Sequence, residues 1–164
     1  MQDAYLEKLR SLSDNYFLGF LGALAGGLLA AIPWAIVACY GRFYSWLGYL
    51  LTIVVAKGYD LMKVKAGIKK LWCVAGAVII SVFAAQVMSD VFFILTDEEL
   101  SGMLAEIFSY YTQNFGEYIS MNAGNLILGL LFAGIGGLRI FKEIKNESVV
   151  IKQLKETNSE DLYI

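Results

Sequence analysis

The chain has 164 residues, of which 58% are hydrophobic, and a mean hydropathy of +0.60. This apolar share exceeds the ~45–50% usual in soluble domains, so composition favours a membrane protein over a soluble enzyme. Histidine is absent and the formal net charge is −2. The absence of histidine removes the commonest general base and metal ligand, and attraction to anionic lipids explains the lysines more simply than nucleic-acid binding does. We therefore predict no catalytic residue, metal, cofactor or nucleic-acid partner.

Four segments are long and apolar enough to compare with a bilayer core, which a helix of about 20 apolar residues crosses. They are residues 16–40, 43–62, 71–95 and 119–141. The second carries Lys57 and Asp60 near one end, where a lysine stem can reach the headgroups. The sequence thus predicts an all-α fold, an integral membrane four-helix bundle. Residues 1–141 form the single membrane domain and residues 142–164 a cytoplasmic tail.

The first segment has an alternative interpretation as a cleaved lipoprotein signal. The residues Ile36-Val37-Ala38-Cys39 resemble the cleavage box of such signals. However, the apolar run is too long for the usual h-region of about 7–15 residues. An uncleaved membrane anchor is therefore favoured.

Orientation is predicted from lysine and arginine, which are retained on the cytoplasmic side. The lysines that flank the spans are Lys63, Lys65, Lys69, Lys70, Lys142, Lys145, Lys152 and Lys155. Lys8 and Arg10 precede the first span, and only Arg42 lies on the other side. The connection over residues 96–118 has five acidic residues and no basic one. Both termini are therefore predicted to be cytoplasmic, in a plasma membrane.

The acidic connection contains an amphipathic pattern. Thr96 and Glu99 have the spacing of a capping box, and apolar residues then recur at helical intervals. The apolar residues are Leu100, Met103, Leu104, Ile107, Phe108 and Tyr111. This predicts an extracytoplasmic helix over about 97–111. The helix is either a structural cap or, less favoured, a lid or docking face.

Small residues recur every fourth position, as in membrane helices whose backbones approach closely. Two ridges on the first span comprise Gly19, Ala23, Gly27, Ala31 and Ala35, and Gly22, Gly26 and Ala30; the fourth span has Gly129, Ala133 and Gly137. Pro33 is expected to kink the first helix. The two ridges either pack within one monomer or leave one ridge for another subunit, and these alternatives are about equally favoured.

Polar residues inside the spans form the other candidate site. Gln86 and Asp90 are one helical turn apart in the third span, and Asn122 and Asn125 enter the fourth span from the same side. Ionisable residues at membrane depth are costly and are functional candidates. The four side chains predict either an ion or solute pathway or a hydrogen-bonded helix contact, and the contact is favoured.

The first hairpin contains two short motifs. These are Ala31-Ile32-Pro33-Trp34 within a glycine-rich helix and Lys57-Gly58-Tyr59 at the end of the next helix. In these residues the chain resembles small multi-pass membrane proteins of Gram-positive bacteria, over about residues 19–65. The resemblance implies a bacterial plasma-membrane setting and no particular activity.

Two functions follow from these patterns. The first is a multi-pass membrane protein that acts through helix association, as a homo-oligomer or as the membrane subunit of a complex. The alternative is a small transporter or channel whose pathway lies at a subunit interface, built from the kinked first helix and the cluster of Gln86, Asp90 and Asn125. An intramembrane enzyme is a distant third.

Overall fold

The computed structural model describes residues 12–40, 46–65 and 67–160, with backbone alone for Cys39 and residues 147–160. Within these ranges the protein is helical and has no strand, as predicted. One isolated parallel bridge joins Ser13 to Val64. The helices are α1 (Tyr16–Cys39), α2 (Trp46–Leu61), α3 (Ile68–Thr96), α4 (Glu98–Ser101), α5 (Leu104–Gln113) and α6 (Phe115–Glu160).

Among the described residues, three helices have the length and apolar composition needed to cross a membrane. They are Tyr16–Ala38, Ile68–Thr96 and Phe115–Asn146, and they coincide with the first, third and fourth predicted spans. Helix α2 has 16 described residues and a rise of about 24 Å, which is less than the ~30 Å bilayer core. The second span therefore stays a prediction.

Local chemistry explains where two of these helices begin. The Asn15 side chain accepts a hydrogen bond from the Leu18 amide at 3.2 Å and caps α1, as asparagine commonly does. Helix α3 follows Gly67, whose φ of +140° is readily adopted only by glycine. Pro33 lies inside α1, and the helix continues through it to Cys39.

The long helices pack around one apolar core. Helix α1 contacts both α2 and α3 extensively, and α6 lies across α2 and α3. Ala23, Val55, Tyr59 and Ala77 are completely buried in this core. Small side chains on α1 and α3 let the backbones approach, while Tyr59 fills the space between them.

The end of the molecule that carries Lys63, Lys65, Lys69 and Lys70, here called the lysine end, is fastened by polar contacts. The backbone of Ser13 donates to the Lys63 carbonyl at 2.9 Å and accepts from the Lys65 amide at 3.0 Å. The Lys65 ammonium also pairs with the carboxylate of Asp14, which precedes α1, at 2.7 Å. The segment before α1 is thereby tied to the α2–α3 loop.

The acidic connection differs from its predicted form. Asp97, rather than Thr96, caps the first helix, because its carboxylate accepts the amides of Glu99 and Leu100. The Thr96 hydroxyl instead donates to carbonyls in the last turn of α3. The predicted single helix is split into α4 and α5 by a turn at Gly102.

Several predictions concern residues outside the described ranges. Lys8, Arg10 and Arg42, which contributed to the predicted orientation, belong to this group. The tail is described as far as Glu160, where it forms the helical continuation of α6.

Candidate functional site at the acidic end of the helices

Two polar side chains of α3 face the bundle close to its acidic end, which is the end followed by Asp97, Glu98 and Glu99. Gln86 and Asp90 are four residues apart and therefore project from the same side of the helix. Gln86 is buried with 7% of its surface exposed, and Asp90 is half-buried. The Gln86 amide donates to Asp90 Oδ1 at 3.2 Å.

Helix α6 supplies the partners from the opposite side. The Tyr118 hydroxyl donates to Asp90 Oδ2 at 2.6 Å, and the Gln86 amide donates to Asn122 Oδ1 at 2.9 Å. The Asn122 amide donates to the Tyr118 carbonyl at 3.1 Å. We call Gln86, Asp90, Tyr118 and Asn122 the polar network. It bonds α3 to α6 through side chains from both helices.

The polar network is closed on itself. Each Asp90 carboxylate oxygen accepts one donor from the network, and the Gln86 amide nitrogen serves two acceptors. Within the described part of the chain, no buried side-chain nitrogen or oxygen lacks a hydrogen-bond partner. Such an arrangement stabilises a helix contact, because its polar groups are already paired.

The structure brings together three of the four predicted polar residues. Asn125 is exposed on α6 and stands outside the network. Tyr118, which is 4% exposed, was not among the site residues predicted from the sequence. The available signal was its spacing of four residues before Asn122, which places both side chains on the same side of a helix.

A cluster of aromatic rings, here called the aromatic cap, adjoins the polar network and shares Tyr118 with it. It consists of Phe83, Tyr111, Phe115 and Tyr118. The Tyr111 and Tyr118 ring centroids are 4.8 Å apart, and Phe83 contacts the rings of both Phe115 and Tyr118. Tyr111 belongs to α5, so the acidic connection contributes to the cap. Burial, together with the charge of Asp90, raises the pKa of the Tyr111 phenol.

The small residues of α1 lie against other helices of the same chain. Gly22 meets the backbone of Gly58, and a Cβ at Gly26 would lie 2.9 Å from the Val54 carbonyl oxygen. These contacts occupy one ridge with α2. Ala30, on the same ridge, is half-buried.

The other ridge of α1 packs between α2 and α3. Gly19 faces the Tyr59 ring and Gly27 faces Ser81, while Ala23 and Ala31 are fully buried. Both ridges therefore have partners within the monomer.

On α6, Gly129 and Ala133 lie at helix contacts and Gly137 does not. A Cβ at Gly129 would lie 2.8 Å from the Trp34 ring, and the Ala133 carbonyl accepts from the Thr52 hydroxyl at 3.1 Å. No atom lies within 4 Å of a Cβ built at Gly137, whereas one at Gly136 would meet Thr52 at 2.9 Å. Four-residue spacing drifts around a helix of 3.6 residues per turn, which moves Gly137 out of the contact.

The site offers no cluster suited to a metal ion. In residues 12–40, 46–65 and 67–160, no three histidine, cysteine, aspartate or glutamate side chains come close enough to hold one. The chain was compared with family models, curated proteins and solved structures, and none matches it.

Proposed function

We propose that this protein is a four-span plasma-membrane protein, with both termini cytoplasmic, that acts by associating with other membrane helices. The association makes it a homo-oligomer or the membrane subunit of a larger complex. The observation that carries the proposal is the one-sided packing of α6, which contacts α2 and α3 and leaves its other side uncovered.

The uncovered side of α6 combines large apolar side chains with a glycine. Ile127, Leu131 and Leu138 expose 59%, 58% and 63% of their surfaces, and no atom lies within 4 Å of a Cβ built at Gly124. Glycine costs about 1 kcal/mol relative to alanine inside a helix of a soluble protein. At a membrane surface, a glycine instead favours close approach of a neighbouring helix.

The tail of α6 provides a second surface for subunit contacts. The helix extends to Glu160, about 21 Å beyond Asn146 at 1.5 Å per residue. Its sequence there has three consecutive apolar residues, Val149, Val150 and Ile151, between charged and polar ones. A helix that leaves the membrane without interruption can hold a partner in fixed register with the membrane domain.

The transport alternative has less support. A pathway through Gln86 and Asp90 needs polar groups that face water, whereas these groups are bonded to each other and Gln86 is buried. We expect Asp90→Asn to leave ion flux into protein-containing liposomes unchanged from the unmodified protein. A flux that depends on Asp90 would favour the channel over the association proposal.

Cysteine cross-linking tests the association directly. In a chain with Cys39 and Cys73 replaced by alanine, Ile127→Cys places a thiol on the uncovered side of α6. We expect oxidation in native membranes to give a cross-linked species, whose mass identifies a second copy or another protein. The matched control is Leu21→Cys on α1, which is also exposed (44%) but lies outside the proposed interface.

The two positions together decide the outcome. A cross-link from position 127 and none from position 21 supports the proposal. Equal cross-linking from both positions indicates random collision in the bilayer. That result, or no cross-link from either position, would contradict association through α6.

A further inference from the structure

A groove between α3 and α6 is not explained by helix association. It has a volume of about 180 Å³ and is lined by Thr52, Leu71, Val74, Ala75, Val78, Ile79, Leu130, Ala133, Gly134, Gly137 and Ile140. Apart from Thr52, every lining side chain is apolar or absent. The two glycines create the space, because no atom lies within 4 Å of a Cβ built at either one.

The groove lies within the half of the bundle that one membrane leaflet would surround. Its α3 wall runs from Leu71 to Ile79, a length of about 12 Å, and Ile79 lies about 16 Å along the helix axis from Ile68, the first residue of α3, at 1.5 Å per residue. This distance is about half of the ~30 Å hydrocarbon core. The groove therefore occupies the half of the bundle nearest the lysine end, where an acyl chain from that leaflet can enter it from the side.

The one polar lining group does not attract water into the groove. The Thr52 hydroxyl donates to the carbonyls of Gly48 and Ala133, at 3.0 and 3.1 Å. The single O–H of Thr52 is thus shared between two carbonyls of the protein, and with 1% of the residue exposed little of the hydroxyl oxygen is available to water or to a ligand. A buried water needs two or more polar partners, so the groove suits a hydrocarbon chain.

Positive charge lies at the mouth of the groove. Lys145 follows Gly134 by eleven residues, close to three helical turns, and so lies on the same side of α6 beyond the hydrocarbon segment. Lys145 is exposed. Lys70, in the first turn of α3, is paired with Asp60 at 2.6 Å and is not available. Lys145 is therefore the cation best placed to meet a headgroup.

From this combination of an apolar groove within one leaflet and a cation beyond its lysine-end boundary, we infer that the groove binds one acyl chain of an anionic phospholipid. The lipid comes from the leaflet at the lysine end, and its phosphate contacts Lys145. Attraction of basic side chains to anionic lipids is worth about 1 kcal/mol per residue near the surface, so the headgroup adds selectivity to the chain contact.

Native mass spectrometry with added lipid tests the inference on the full chain. The probes are phosphatidylglycerol and phosphatidylcholine with the same acyl chains. We expect retained phosphatidylglycerol to exceed phosphatidylcholine several-fold, which about 1 kcal/mol of headgroup attraction gives. The double variant Gly134→Leu, Gly137→Leu fills the groove and should abolish retention of both lipids. Gly124→Leu, on the same helix outside the groove, should leave retention unchanged.

Two further variants distinguish binding of the acyl chain from binding of the headgroup. Ile79→Trp fills the groove from the α3 wall and should also reduce retention, which guards against a folding defect specific to the glycine variant. Lys145→Gln should remove the preference for phosphatidylglycerol without removing lipid, while Lys63→Gln, at the same end but away from the groove, should preserve it.

Three results would overturn the inference. They are no retained lipid on the unmodified protein, equal retention of the two lipids, and unchanged retention in both groove-filling variants. If filling the groove alters the assembly mass but not the bound lipid, its occupant is a helix of another subunit. Cross-linking at position 127 tests association separately, so the two proposals can fail independently.

Discussion

At the scale of single residues, the interaction that defines the polar network is the hydrogen bond from Tyr118 to Asp90. An aspartate inside a membrane helix is costly, and here its two oxygens are met by Tyr118 and Gln86. Interhelical hydrogen bonds in membrane proteins contribute about 0.6 kcal/mol on average and up to about 1.7 kcal/mol. The polar network is thus a modest but directional link between α3 and α6.

Removal of either partner of this bond should destabilise the protein by a similar amount. We expect Asp90→Asn and Tyr118→Phe each to cost about 1 kcal/mol, or roughly 2–4 °C in Tm for a chain of this size. The double variant should cost less than the sum, because both changes delete the same bond. Thermal unfolding in mild detergent measures these differences.

Tyr110→Phe is the matched control for the lost phenol. Tyr110 is exposed, and its hydroxyl donates to Glu117 at 2.9 Å, a bond that raises the pKa of the phenol. Because exposed hydrogen bonds exchange with water at little cost, its Tm should hardly change. Strict additivity of Asp90→Asn and Tyr118→Phe would show that the bond does not couple the helices.

The polar site was partly predictable from single residues. Gln86, Asp90 and Asn122 stand out because they are polar within apolar segments. Tyr118 does not, because tyrosine is common near membrane interfaces, and its role depends on the angle between α3 and α6. That angle is set by packing and has no local sequence signal.

At the scale of the helices, glycines mark where α1 approaches α2. Gly22 and Gly58 bring the two backbones into contact, and Gly26 repeats the approach one turn later. The spacing of small residues predicted which positions of α1 lie at helix contacts. It did not predict that both ridges are used within one chain, because periodicity shows spacing and not the identity of the neighbour.

Substitution of two glycines should distinguish an internal contact from an open side. Gly26→Leu places a side chain against the Val54 carbonyl, and overpacking of this kind typically costs about 1–3 kcal/mol, or roughly 2–12 °C in Tm. Gly124→Leu meets open space and should leave the Tm of the monomer in detergent unchanged. Comparable losses in both variants would contradict the packing described for α1 and α2.

Apolar composition indicated where the long helices lie, whereas side-chain caps decide where the short helices begin. The apolar segments 71–95 and 119–141 lie within α3 and α6. The prediction for the acidic connection was wrong in detail. Thr96 and Asp97 are both good N-cap residues, and only the local backbone conformation selects between them.

At the scale of the whole molecule, the charges are separated along the bundle axis. The lysine end carries the α2–α3 loop and the start of the tail, whereas the connection between α3 and α6 contains Asp97, Glu98, Glu99, Glu106 and Glu117. The net charge of −2 conceals this polarity. It is the basis for the predicted orientation, because the basic end is retained in the cytoplasm.

Cysteine labelling tests that orientation in living cells. In the cysteine-free background, Ser101→Cys and Asn146→Cys introduce exposed thiols near opposite ends of the bundle without changing any charge. We expect a membrane-impermeant maleimide to label position 101 in intact cells and position 146 only after permeabilisation, because lysine-rich segments resist translocation. The reverse labelling pattern would mean that the orientation in the membrane is opposite to the predicted one. That labelling pattern would also put the acyl-chain groove in the outer leaflet and the aromatic cap on the cytoplasmic side. The expected pattern puts the groove in the inner leaflet, where anionic lipids attract lysine.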